Sequence, residues 1–155
     1  MTPKSTPPAD ALQPLTAEEE AVVRALPSLL YALPRAIDAQ MQREQQLSNT
    51  EYLTLMYLSE APDRQLRMHE LAGAIEMSLS GTTRIVQRLE NEGFIERLRC
   101  ETDGRSWHAS LTDAGLARLE EAWPTNLDAI RRHFLDHLKE LDLKKLAAAL
   151  RNVAT

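Results

Sequence analysis

The segment from Ser78 to Asn91 carries the most chemistry in this 155-residue chain. Advancing about 100° per residue from a helix cap at Ser78 gathers Thr82, Ile85, Val86 and Leu89 on one side. Ser80, Arg84, Gln87 and Asn91 fall on the other, flanked by Thr83 and Arg88. The polar face is thus small near its amino end and rich in long donors further along. Small side chains let a helix approach base edges. Arginine can bond guanine bidentately and glutamine can do the same for adenine, each good pair supplying ~1–3 kcal/mol of discrimination. Ser80, Thr83, Arg84, Gln87 and Arg88 are therefore the expected major-groove contacts, with the two hydroxyls also suited to phosphate. Ser78, Arg67 and Arg99 are expected to hold phosphates.

A polar face alone is weak evidence, because any amphipathic surface helix has one. Neighbouring elements decide the matter. Leu66 to Ala74 forms a short helical pattern about three residues upstream, the connection length of a helix-turn-helix. Downstream, Gly93 reads as a helix stop. Phe94 to Cys100 and Trp107 to Leu111 then flank Asp103-Gly104, a strong hairpin signal, with Trp107, Ala109 and Leu111 alternating with His108 and Ser110. Serine, threonine and arginine also stand where glutamate and lysine would be better helix formers.

The remaining elements are helical. Thr16-Ala-Glu-Glu19 has the spacing of a capping box, and Pro27 and Pro34 predict two helical pieces or one kinked helix through Gln46. Ser48-Asn49-Thr50-Glu51 is a second capping box, opening a helix from Tyr52 to Ser59 that Ala61-Pro62-Asp63 stops. From Thr112 a long helix presents Leu116, Leu119, Trp123, Leu127, Ile130 and Phe134 at spacings of three and four, with a kink expected at Pro124. A last helix starts at Asp142, which can cap it.

Composition sets outer bounds. At 43% hydrophobic and 26% charged residues the chain reads as an ordinary globular protein with one core. Residues 1–15, with four prolines, read as a flexible arm and not a secretory signal, and no apolar run approaches a membrane span, so a cytoplasmic location is expected. A net charge of −5 argues against indiscriminate coating of nucleic acid. Residues 64–108 are neutral, with seven arginines against seven acids. One cysteine, Cys100, excludes an internal disulfide framework or a cysteine-type zinc site. There is no glycine-rich phosphate loop and no nucleophile elbow, so no enzyme and no cofactor is expected. His133 and His137 stand four apart, a spacing at which two imidazoles can share a metal, but further ligands are lacking nearby and a solvated face is the better reading.

Leu71-Ala72, the run Thr82 to Glu90, Gly93-Phe94-Ile95 and Asp103-Gly104-Arg105, followed by Leu111-Thr112-Asp113-Ala114-Gly115, together resemble the MarR family of winged helix-turn-helix regulators. The resemblance spans roughly residues 16–153. It implies a mainly α fold with a small two- or three-stranded β wing. It implies a 16–47 helical segment and 112–155 helices that dimerise, around a DNA-binding lobe at 48–111. It further implies a homodimer that binds a pseudo-palindromic double-stranded operator, usually to repress, under control of a small ligand or oxidant. By position, Arg105 matches the wing arginine that enters the minor groove. Asp103 matches the acid that braces the wing, often through the arginine matching Arg84, so Arg84 has two competing roles.

Two positions depart from the family pattern. Arg67 stands where a hydroxyl cap is frequent, and His108 where a second basic residue commonly follows the wing. The family's oxidant-sensing cysteine lies near the first helix, which has none here, so Cys100 reads as a small apolar residue. Tyr31, Tyr52 and Trp123 fall on helices that in the family border a cleft for aromatic acids, although aromatics at such positions are more often core. The alternative is a winged-helix module for protein contacts without sequence-specific DNA binding, for which exposed Leu, Phe or Met on the outer helix face would speak.

Overall fold

The computed structural model describes residues 13–99, 104 and 106–153. The chain divides into two compact units, Met1–Leu33 and Pro34–Thr155. In the first, Thr16 and Glu19 form the expected capping box: the Thr16 N–H donates to Glu19 Oε2 at 2.8 Å and the Glu19 N–H donates to Thr16 Oγ1 at 3.2 Å. Helix α1 (Ala17–Gln45) starts there and ends in the second unit. Pro27 and Pro34 do not divide it into two helices, since each proline removes a single backbone bond while its neighbours keep theirs. Leu26, Leu29 and Leu30 are exposed along its first half.

The second unit holds the core. Helix α2 (Asn49–Glu60) is capped by Ser48 and Glu51 in a complete capping box. A 3-10 turn, Pro62–Arg64, leads to strand β1 (Gln65–Arg67) and helix α3 (Met68–Ala74). The expected helix from Leu66 thus begins two residues late. Leu66 and Arg67 instead pair with Ala109 and His108 in a third strand of the sheet. Helix α4 (Leu79–Asn91) follows, then β2 (Ile95–Arg99) and β3 (Trp107–Leu111), giving an antiparallel sheet of order β1-β3-β2.

Helix α5 (Asp113–His133), capped by Thr112, runs through Pro124. Its buried row is Gly115, Leu119, Ala122, Asn126 and Ala129, and Trp123 is 58% exposed. The spacing of the large apolar residues had pointed to Trp123 in the inward row. Small residues at 115, 122 and 129 occupy that row instead, where thin side chains admit close packing. A 3-10 turn, Leu135–Leu138, precedes α6 (Leu143–Val153). As expected, Asp142 caps α6, accepting from the N–H groups of Lys144 and Lys145 at 3.1 Å each. Leu143, Leu150 and Val153 are exposed on this helix. No described helix is long and apolar enough to cross a membrane.

Met41, Leu55, Leu58, Leu71, Val86 and Leu89 form the centre of one apolar cluster, all at 0% exposure. Burying a side chain of this size contributes ~1.5–3 kcal/mol, so Val86 and Leu89 fix which face of α4 is left outward.

Candidate nucleic-acid interface

Two left-handed turns set the angle at which α4 is presented. Glu76, with φ 54°, ends α3 in a Schellman arrangement: the Met77 N–H donates to the Ala72 carbonyl at 3.0 Å and the Glu76 N–H to the Gly73 carbonyl at 3.2 Å. Gly93, with φ 81°, closes α4 in the same way through Phe94 to Leu89 and Gly93 to Glu90. Glycine suits the second turn because an added Cβ is strained at that φ. At the other end, Ser78 Oγ accepts from the Gly81 N–H at 3.1 Å and lies 3.2 Å from Ser80 Oγ. Ser78 is therefore committed to capping.

The helical phase expected from sequence holds. Thr82, Val86 and Leu89 are buried, whereas Ser80, Thr83, Arg84, Gln87 and Arg88 are exposed. Their engagements differ. Arg84 has no ion-pair or hydrogen-bond partner among the described residues. The Thr83 hydroxyl donates to the Leu79 carbonyl at 2.8 Å. Both ends of the Gln87 amide are occupied, its oxygen by Arg97 Nη2 at 2.6 Å and its nitrogen by Asn91 Oδ1 at 3.0 Å. Arg97 also holds Glu90 at 2.8 Å, which ties β2 to α4.

Arg88 faces the frame. Its Nε lies 3.0 Å from Glu51 Oε1 and 3.6 Å from Glu92 Oε1. Glu51 is buried, and its other oxygen accepts from the Ser48 N–H at 2.7 Å. One carboxylate thus caps α2 and anchors the outer helix.

Beside α4, a groove of about 280 Å³ is lined by Arg67, Met68, His69, Leu79, Thr83, Ser106 and Trp107. Arg67 is the exposed cap residue of α3; its side chain makes no cap hydrogen bond, and its own N–H donates to Glu70 Oε2 at 3.0 Å. The Arg99 guanidinium lies 5.1 Å from the Trp107 ring centroid, a cation–π contact that aims a cation along the wing's base. His108 is half-buried, opposite Arg67 on one side and Leu98 on the other. Asp103 and Arg105, the expected wing residues, and Cys100 lie outside the described residues.

Sequence reasoning missed Leu79, which is 54% exposed at the start of α4, and the part played by Arg97. Leu79 was hidden because amphipathic periodicity assigns an apolar residue beside a cap to the core. Arg97 contacts Gln87 from ten residues away, which no local spacing reveals.

Of the expected effector residues, Tyr52 and Trp123 meet at a second pocket, of about 290 Å³, with Met56, Glu60, Leu119 and Glu120. Tyr31 belongs to the first unit and is exposed. His133 and His137 do not share a helix face: α5 ends at His133, Phe134 departs from helical geometry, and His137 sits in the following 3-10 turn. His133 Nε2 instead lies 3.2 Å from Gln40 Oε1, and among the described residues no three potential ligands cluster.

A MarR family pattern matches residues 47–107, which contain α2, α3, α4, β1 and β2 and end at the first residue of β3. Across nearly the whole chain the structure is similar to Sco3205, a MarR family transcriptional regulator from Streptomyces coelicolor solved in complex with DNA. The two are 36% identical with a TM-score of 0.82, covering 94% of this chain and 91% of that one. The protein belongs to the MarR family.

A second family member, AbsC from the same organism, is 31% identical with a TM-score of 0.80, covering 92% of this chain and 96% of that one. The transcriptional repressor MprA of Escherichia coli (strain K12) is 32% identical over 84 residues, 54% of this chain and 48% of MprA. The match thus spans about half the length of that relative. These MarR-family relatives are transcription regulators, in keeping with the expectation that the chain is not an enzyme.

Proposed function

We propose that this MarR-family protein is a homodimeric, sequence-specific DNA-binding regulator that represses from a pseudo-palindromic operator under control of a small effector. The observation that carries this reading is the outward face of α4, where Ser80 and Thr83 leave room for close approach and Arg84 is exposed, with no partner among the described residues. A likeness to a regulator solved with DNA, and to one named a repressor, supports it.

In this reading Arg84 reads a base, and Leu79, an exposed apolar residue of the kind that speaks for the protein-contact alternative, meets a thymine methyl group instead, the apolar contact the major groove offers. Gln87 reads only after Arg97 releases its amide oxygen. Arg88 reads only by leaving Glu51, so its main work is to hold the helix. Ser80 and Thr83 contact base or backbone, while Arg67, Arg99 and the cap at Ser78 line the phosphate path. Arg105 enters the minor groove, with Asp103 bracing it. The segments 16–47 and 112–155 form the dimer contacts. Exposed Leu26, Leu29 and Leu30 on α1, and Leu143, Leu150 and Val153 on α6, are the surfaces such contacts would cover. The pocket holding Tyr52 and Trp123 receives the effector, with Tyr31 a further candidate. A DNA partner places this activity in the cytoplasm.

Electrophoretic shift of DNA from the protein's own promoter region tests the reading. A discrete complex that survives excess non-specific competitor is expected. A confirmed dimer that retards no fragment at low salt would leave the protein-contact alternative standing.

A further inference from the structure

We propose that the pocket between α2 and α5 accepts a small organic cation with an apolar or aromatic body and rejects aromatic acids. This rests on the effector role given to that pocket above, and departs from the ligand class that family resemblance implies. The pocket is built by helical spacing. Tyr52, Met56 and Glu60 recur every four residues along one face of α2, while Leu119, Glu120 and Trp123 come from the facing turn of α5. At about 290 Å³ it suits a compact ligand, near the lower end of the ~300–1,000 Å³ usual for such sites.

Three observations set the charge class. Glu60 and Glu120 are exposed, and neither has an ion-pair partner among the described residues. Among the described residues no lysine, arginine or histidine lines the pocket, so an entering carboxylate would meet two like charges and no compensating cation there. Trp123, 58% exposed, offers an open ring to a cation held at those carboxylates.

Tyr52 supplies an independent indication that the pocket is a receptor. The residue is only 3% exposed, and its hydroxyl has no hydrogen-bond partner among the described residues. Since those residues contain no buried side-chain oxygen or nitrogen left unpaired, the hydroxyl keeps a small accessible area, on a residue that lines the pocket. A neutral phenol there can accept from an ammonium N–H or turn its oxygen toward a quaternary centre. The apolar floor of Met56 and Leu119 covers the ligand body.

The test uses the full-length protein carrying Trp107→Phe, which leaves Trp123 as the single tryptophan. Benzyltrimethylammonium and benzoate, of similar size and opposite charge, are titrated while Trp123 emission is followed. Saturable quenching by the cation is expected, with benzoate at least tenfold weaker. Glu60→Gln combined with Glu120→Gln should weaken the cation at least tenfold and narrow the gap to benzoate. Benzoate binding as tightly as the cation, or cation binding indifferent to the double substitution, would overturn the charge assignment while leaving the pocket as a ligand site. If neither probe changes Trp123 emission, both the assignment and the site fall. Measuring the promoter affinity of the wild-type protein with and without the cation separates the two ideas further. Binding without any change in DNA affinity would refute the effector role and keep the charge class.

Discussion

Arg84 and Arg88 lie four positions apart on one helix, yet their surroundings give them different work. Arg84 is exposed and has no partner among the described residues, whereas Arg88 is held by the buried Glu51. Arg84→Ala is expected to lower promoter affinity by ~1–3 kcal/mol for each half-site, read by fluorescence anisotropy, and to relax preference at one position in each operator half-site. Arg131→Ala, an equal loss of charge on exposed α5 surface, should leave affinity unchanged. Equal losses would mean that net charge matters and the assigned face does not. The phase that exposes Arg84 was legible because periodicity needs only the residues of one helix. The grip on Arg88 was not, because Glu51 lies 37 positions earlier and comes near only through packing.

Tyr52 yields a second residue-scale prediction. Burial, and then the nearby Glu60 charge, raise its phenol above the ordinary value of 10.0. The folded state favours the neutral phenol, so the associated stability is fully present below about pH 10 and is lost as pH rises through the raised folded value. Denaturant titrations from pH 9 upward should show a steeper loss for the wild type than for Tyr52→Phe. Parallel curves would contradict the burial of the Tyr52 ring.

At the scale of elements, glycines distinguish contacts that position the lobe from those that merely permit it. A Cβ on Gly115 would lie 2.1 Å from the Phe94 carbonyl oxygen and 2.6 Å from Leu111 Cδ1. Gly115 thus lets the start of α5 press against the chain entering β2. Gly115→Ala should cost ~1–3 kcal/mol in chemical denaturation, the usual scale of overpacking. Gly73, inside α3, has nothing within 4 Å of such a Cβ, and Gly73→Ala should raise stability by ~0.5–1 kcal/mol. A stabilising Gly115→Ala would show that this close approach does not form.

Capped elements were the ones most legible in sequence. Ser48, Ser78, Thr112 and Asp142 each start a helix at the expected position, because a cap acts within three residues. Strand β1 escaped notice because its three residues gain strand character only by pairing with β3, more than 40 positions away. The buried face of α5 joins Leu119 to glycine, alanine and asparagine and leaves Trp123 exposed beside Tyr52, a placement that depends on packing against α2.

For the whole molecule, the proposed function requires two copies of α4, related by a two-fold axis, to enter successive major grooves. Sedimentation should show a dimer, and the bound helices should lie about 34 Å apart, one turn of DNA. Guanine N7 lies in the major groove, so methylation protection on a promoter fragment reports this placement directly. Two clusters of protected guanines about one helical turn apart are expected, with one position in each cluster losing protection in Arg84→Ala. A single cluster, or a pattern that Arg84→Ala leaves unchanged, would contradict the assignment of α4 as the reading helix.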